Sequence, residues 1–157
     1  MRAIGIRVEP QQIFYTIIFE DGTHNIESLV IPKSLDTDKP RQLSFLRTTL
    51  YSVICEYDVK LAGLRTAEGS ARTANTFRIN IEGVIQELFS GSTIEHYFTG
   101  TITSMASRLK KDSTKIKKCI KDGNNLFNVE GWESLTRNKR ESFLAALAVL
   151  SEKEGEK

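Results

Sequence analysis

Arg7 and Arg65 each close a short apolar run, Ala3-Ile4-Gly5-Ile6-Arg7 and Val59-Lys60-Leu61-Ala62-Gly63-Leu64-Arg65. A guanidinium cannot ligate a metal, but its planar fork of N–H donors suits the oxygens of a carboxylate or a phosphate. Arg72 lies in the small, polar stretch from Arg65 to Asn75, just ahead of a helical pattern. Backbone amides and the helix dipole there can hold an anion. The stretch lacks the glycine spacing and the Gly-Lys-Ser/Thr ending of a P-loop, and its plainer reading is a solvated loop with an N-cap at Thr73 or Asn75. Among the carboxylates, Glu9 shares strand parity with Arg7, and Glu68 follows Arg65 by three residues. With Glu141, and with Asp58 nearby, they could form a carboxylate cluster for Mg or Mn, although no spacing singles them out. Lys110, Lys111, Lys115, Lys117, Lys118 and Lys121 form one dense basic segment. It could follow a nucleic-acid backbone, with binding that falls steeply in salt, or be the solvated face of a helix; no aromatic lies among the lysines to stack on bases. The anion or nucleic-acid contacts to consider are therefore Arg7, Arg65, Arg72, Lys110, Lys111, Lys115 and Lys118.

The elements that must position these groups follow from periodicity. Ile4, Ile6 and Val8 alternate as a strand that ends at Pro10, and Gln11 to Phe19 is apolar on both parities, as in a strand covered on both faces. Asp21-Gly22 signals a tight hairpin into a third strand from Ile26 to Ile31. Leu43, Leu46, Leu50, Val53, Ile54 and Tyr57 recur at helical spacing, and Val59 to Leu64 reads as a strand parallel to an earlier one. Phe77 to Leu88 marks a second helix ending near Gly91, Thr93 to Thr99 a short strand, and Thr101 to Leu109 and Thr114 to Ile120 two short helices, the latter capped by Asp112 or Ser113. The last helix is expected over Arg137 to Leu150, with Ala145, Ala146 and Ala148 permitting close approach.

The 157 residues, 39% hydrophobic and 27% charged, are those of one globular domain, expected over 1–151 with a frayed tail at 152–157. A net charge of +2 offers no global pull on a polyanion, so such a partner would need a local patch. No apolar run suggests a membrane span or a secretory leader. Cys55 and Cys119 are too far apart for a CxxC site and read as buried free thiols, which fits a cytoplasmic location. His24 and His96 are isolated, and Trp132 reads as a core anchor.

The order of three antiparallel strands, then helix-strand-helix-strand, then helices, resembles the ribonuclease H-like α/β superfamily, a mixed sheet flanked by helices. Ile4-Gly5-Ile6-Arg7 resembles the first strand of RuvC-type Holliday-junction resolvases, in which an aspartate follows the Gly-apolar pair. Val59 to Arg65 resembles their fourth strand, in which a glutamate ends the apolar run. Asn138-Lys139-Arg140-Glu141-Ser142-Phe143-Leu144-Ala145-Ala146-Leu147 resembles their last helix, which carries acids at this i, i+3 spacing. Leu64 to Gln86 and Arg140 to Ala146 are also similar in style to a family of small, uncharacterised bacterial proteins with a ribonuclease H-like fold.

The resemblance implies that the metal-ligand positions fall on Arg7, Arg65, Asn138 and Glu141, of which Glu141 alone keeps an acid. It also implies that Arg7 and Arg65 are neighbours, with Glu141 approaching from the last helix. Such an Arg-Glu-Arg arrangement is either structural compensation or an anion site. The resulting expectation is a catalytically inactive RuvC-like domain without a cofactor. It would serve as a binding or scaffolding component, in a bacterial cytoplasm, through a protein partner, nucleic acid or a second copy of itself. Two alternatives stand beside it: a Mg- or Mn-dependent nuclease using Glu9, Glu68 and Glu141, and a non-catalytic nucleic-acid binder.

Overall fold

The two-residue periodicity at the start of the chain becomes strand β1 (Ala3–Val8), buried along its whole length in the computed structural model, which describes residues 1–68 and 75–156. β1 pairs antiparallel with β2 (Gln12–Ile18), and β2 antiparallel with β3 (His24–Val30). Asp21 closes the β2–β3 turn by accepting hydrogen bonds from the amide and hydroxyl of Thr23, and Gly22 takes the φ of +86° that the turn requires. Helix α1 (Lys39–Glu56) leads to β4 (Leu61–Arg65), which lies parallel to β1. Helix α2 (Thr76–Ser90) leads to β5 (His96–Gly100), parallel to β4. The sheet order is β3-β2-β1-β4-β5, and α3 (Ile102–Arg108), α4 (Ser113–Lys121) and α5 (Arg137–Gly155) complete the chain.

Both parities of the central strands are buried because helices cover both faces. Ile4, Ile6, Val8, Ala62 and Leu64 pack with Leu46, Leu50, Ile54, Ile81 and Ile85 of α1 and α2. Ala3, Ile18, Leu61 and Phe98 pack beneath α5, with α3 and α4 beside it. The seat of α5 is a pair of glycines, Gly5 on β1 and Gly63 on β4, which are register partners. A Cβ on Gly5 would fall 1.9 Å from the carbonyl oxygen of Ser142, and one on Gly63 would fall 2.3 Å from that of Ala145, so the helix backbone lies directly on the sheet. Beside this seat Thr16 and Ser142 share a buried hydrogen bond of 2.7 Å. Ser142 Oγ donates to Lys139 O, which leaves Thr16 as the donor of the pair.

Several boundaries differ from the sequence expectation, each for a local reason. The fourth strand begins at Leu61 rather than Val59, because Asp58 turns the chain with φ +47° and Val59 N–H still bonds back to Ile54 O. The fifth begins at His96 rather than Thr93, whose hydroxyl caps Val59 O instead. The third, an edge strand, spans His24–Val30 and has no fully buried residue. Helix α5 runs to Gly155 instead of fraying at Glu152, since Glu152 is tied to both His96 Nε2 (3.0 Å) and Arg108 Nε (3.2 Å). Cys119 is buried, but Cys55 is exposed because it sits on the outer side of α1. Trp132 is an anchor, 1% exposed, and its indole N–H donates to Cys119 O. Arg140 donates to the carbonyls of Trp132, Ile120 and Glu133, which locks the end of α4 to the start of α5. Among the described residues no helix is long and apolar enough to cross a membrane.

Candidate functional site

The parallel register of β1 and β4 sets Arg7 directly beside Arg65 at the carboxyl ends of the two strands. The glycine seat fixes α5 above them, and Glu141, one residue before Ser142, reaches down between the two arginines. Arg7 Nε and Glu141 Oε2 are in ionic contact, and Arg65 Nη2 lies 3.6 Å from Glu141 Oε1. All three residues are at least nine-tenths buried. Arg65 also pairs with Glu68 at 3.0 Å and donates to Thr66 O. The Arg7–Glu141 contact lacks the alignment of a hydrogen bond. Arg7 Nε and Nη1, Arg65 Nε and Glu141 Oε2 have no hydrogen-bond partner among the described residues.

A further acid joins this network. Glu82 on α2, 5% exposed, accepts from the backbone N–H of Ala67 at 3.0 Å and from Arg78 Nε at 3.3 Å. Burial pushes its pKa up, against the opposing pull of the Ala67 N–H and of the charges on Arg7 and Arg65. Burial likewise lowers the pKa of Arg65, a shift that Glu141 opposes. Sequence reasoning missed Glu82. The available signal was a carboxylate between the buried positions Ile81 and Ile85, four residues after Arg78. Three guanidiniums, from Arg7, Arg65 and Arg78, thus face three carboxylates, from Glu68, Glu82 and Glu141.

The other sequence candidates are placed differently. Asn138 is half-buried in the first turn of α5, one turn before Glu141. Glu9 is half-buried just beyond β1 and joins no ion pair among the described residues, while Glu68 is exposed. The structure does not gather Glu9, Glu68 and Glu141 into a cluster: among the described residues no group of three or more His, Cys, Asp or Glu is arranged to hold a metal ion. Nor does Asp58 join them, being paired with Lys60 at 2.9 Å. Arg72 and Thr73 lie outside the described residues, and Asn75 caps α2 by accepting from Arg78 N–H. Lys110, Lys111, Lys115, Lys117, Lys118 and Lys121 are all exposed, and none joins an ion pair among the described residues. Lys115, Lys117, Lys118 and Lys121 lie on α4, and Lys110 and Lys111 just before it, with Lys110 beside Gly155 at the far end of α5.

The donor set does not suit a divalent metal. Glu141 is shared by two guanidiniums, and Glu82 is held by a backbone amide and Arg78. A dication about 5 Å from one guanidinium would be repelled by roughly 7 kcal/mol at an effective dielectric of about 20.

No family model matches the chain, and no curated protein matches it by sequence. The solved structures that resemble it over nearly its full length include two of RuvC. Thermus thermophilus RuvC superimposes with a TM-score of 0.73 at 8% identity, covering 99% of this chain and 97% of that one. T. thermophilus RuvC in complex with Holliday junction substrate gives a TM-score of 0.66 at 8% identity, covering 99% and 96%. With its five-stranded mixed sheet in the order β3-β2-β1-β4-β5 and helices on both faces, the chain has the α/β fold of RuvC and the ribonuclease H-like proteins.

Proposed function

We propose that this protein is a catalytically inactive RuvC-like domain that works by binding, as a scaffold for a protein partner or a second copy of itself in the cytoplasm. The observation that carries this reading is Glu141 held between the register partners Arg7 and Arg65. Two-metal phosphodiester cleavage needs several carboxylates converging on cations, and here guanidiniums stand where carboxylates would be required. Calorimetric titration with Mg and Mn tests the reading directly, with no saturable uptake expected. Tight uptake that Glu141→Ala abolishes, together with cleavage of branched DNA, would overturn it in favour of the nuclease reading.

A second reading, a non-catalytic nucleic-acid binder, is favoured by the lysine segment. It carries six exposed lysines against Asp112 alone, and none of the six is neutralised by an ion pair among the described residues. The similarity to RuvC in complex with Holliday junction substrate supports the same reading. Gel shifts with branched and single-stranded DNA and RNA over a salt series test it. Binding that weakens in Lys115→Glu/Lys118→Glu, with a shallower salt dependence, is its expected signature. No binding at low ionic strength would rule it out.

A further inference from the structure

At the opposite end of β1 and β4 from Arg7 and Arg65, where these two strands begin, lies a cleft of about 590 Å³, a volume in the range of small-molecule sites. Its floor is apolar, formed by Ile18, Leu61, Phe143, Leu147 and Leu150. The cleft exists because the α5 stripe of Phe143, Leu147 and Leu150 continues past the end of the sheet it covers, leaving Leu147 and Leu150 only half-buried.

Its walls are tied in place. On one side the β2–β3 turn is closed by Asp21 and by the Phe19 N–H to Thr23 O bond of 2.9 Å. On the other, Asn125 bonds Val129 in both directions, at 2.7 and 2.8 Å, and Asn128 is held at φ +55°. A cleft whose loops are already ordered loses little entropy when it is filled.

The rim is acidic. Of the charged groups lining it, Glu20 is paired with Arg2 at 3.2 Å and also feels the Met1 ammonium, which lines the cleft beside it, and Lys153 is paired with Glu156 at 3.0 Å. Glu130 and Glu154 line the mouth and join no ion pair among the described residues. Glu154 lies on the same α5 stripe as Phe143, Leu147 and Leu150, so one helix face supplies both the apolar floor and a carboxylate at its lip. We propose that this cleft binds a small organic cation, an aromatic or aliphatic body carrying a protonated amine, with the body on the Phe143–Leu150 floor and the amine at Glu130 and Glu154. The site is independent of the Arg7–Glu141–Arg65 network and of the function proposed for it.

Three indole probes of matched size test the proposal by calorimetry and amide chemical-shift mapping: tryptamine, neutral 3-propylindole and anionic indole-3-propionate. Tryptamine is expected to bind with a Kd on the order of 1 mM, as befits a fragment of its size, and to shift the amides of the β2–β3 turn and of residues 147–154. Indole-3-propionate is expected to bind at least about tenfold more weakly. Glu130→Gln/Glu154→Gln, at the cleft mouth, should raise the tryptamine Kd about three- to tenfold, the scale of two partly exposed ion pairs. Leu150→Arg should abolish binding while leaving the folded spectrum elsewhere unchanged. Equal affinity for the three probes, or a tryptamine Kd unmoved by the double Gln variant, would overturn the proposal. So would saturable binding of a Phe-Lys peptide where tryptamine shows none, which would make the occupant a protein segment.

Discussion

Glu141 balances two buried cations at once, so its removal should cost more than the contacts it makes. Glu141→Ala leaves Arg7 and Arg65 side by side without a shared counter-charge, and a loss of about 3–5 kcal/mol in urea unfolding is expected. Replacing the whole set, Arg7→Met/Arg65→Met/Glu141→Leu, should be milder, because buried Glu82 keeps Arg78 and the Ala67 N–H, and Glu68, which loses Arg65, is exposed. Glu82 makes a pH prediction of defined sign. Its pKa is raised in the folded protein above the ordinary value of 4.5, so the native state holds this proton more tightly than the unfolded chain does. Its contribution therefore weakens stability as pH rises from that value through the folded pKa, and Glu82→Gln should flatten that part of a stability–pH curve.

Helix α5 decides the geometry at the scale of elements. Gly5→Ala would drive a methyl group into Ser142 O and the Ala146 backbone nitrogen. Because backbone rather than a flexible side chain is in the way, the cost should be about 3 kcal/mol or more, read as a fall in the urea midpoint. The far end of the helix depends on Glu152. Although burial opposes it, hydrogen bonds from His96 and Arg108 hold this carboxylate below its ordinary pKa of 4.5. The stabilisation is therefore present above that value and lost as pH falls through the folded pKa. Amide protection over residues 150–155 should decline in that acid window and, at neutral pH, in Glu152→Ala. These elements were unequally legible in the sequence. The alternation in β1 and the helical repeats of α1, α2 and α5 were plain, because burial imposes them residue by residue. The partnership of Gly5 with Gly63 was not, because register is decided only when strands pair. The continuation of α5 to Gly155 was hidden for a related reason: Glu152 is held by residues 56 and 44 positions earlier in the chain.

Across the whole molecule, charge and apolar surface are segregated more sharply than a net charge of +2 suggests. The arginines at the carboxyl ends of β1 and β4 are compensated and buried, the lysines in and just before α4 are exposed and uncompensated, and the cleft at the other end of these strands carries Glu130 and Glu154. The Arg-Glu-Arg arrangement could be anticipated from the resemblance to the first strand, fourth strand and last helix of RuvC-type proteins, which makes Arg7 and Arg65 neighbours with Glu141 approaching from the last helix. Glu82 was less legible: a carboxylate between Ile81 and Ile85 marks it as buried, but it enters from a helix on the opposite face of the sheet. The glycine seat carries a further consequence. It acts as a mechanical datum: it sets the height of α5 above the sheet through backbone contact alone, whatever charges are mounted one row further along. Chemistry at that row should then be exchangeable without rebuilding the scaffold. Arg7→Asp/Arg65→Glu/Asn138→Asp, on an otherwise unchanged chain, should gain saturable Mn uptake measurable by calorimetry, turning a charge lock into a cation cup on the same frame.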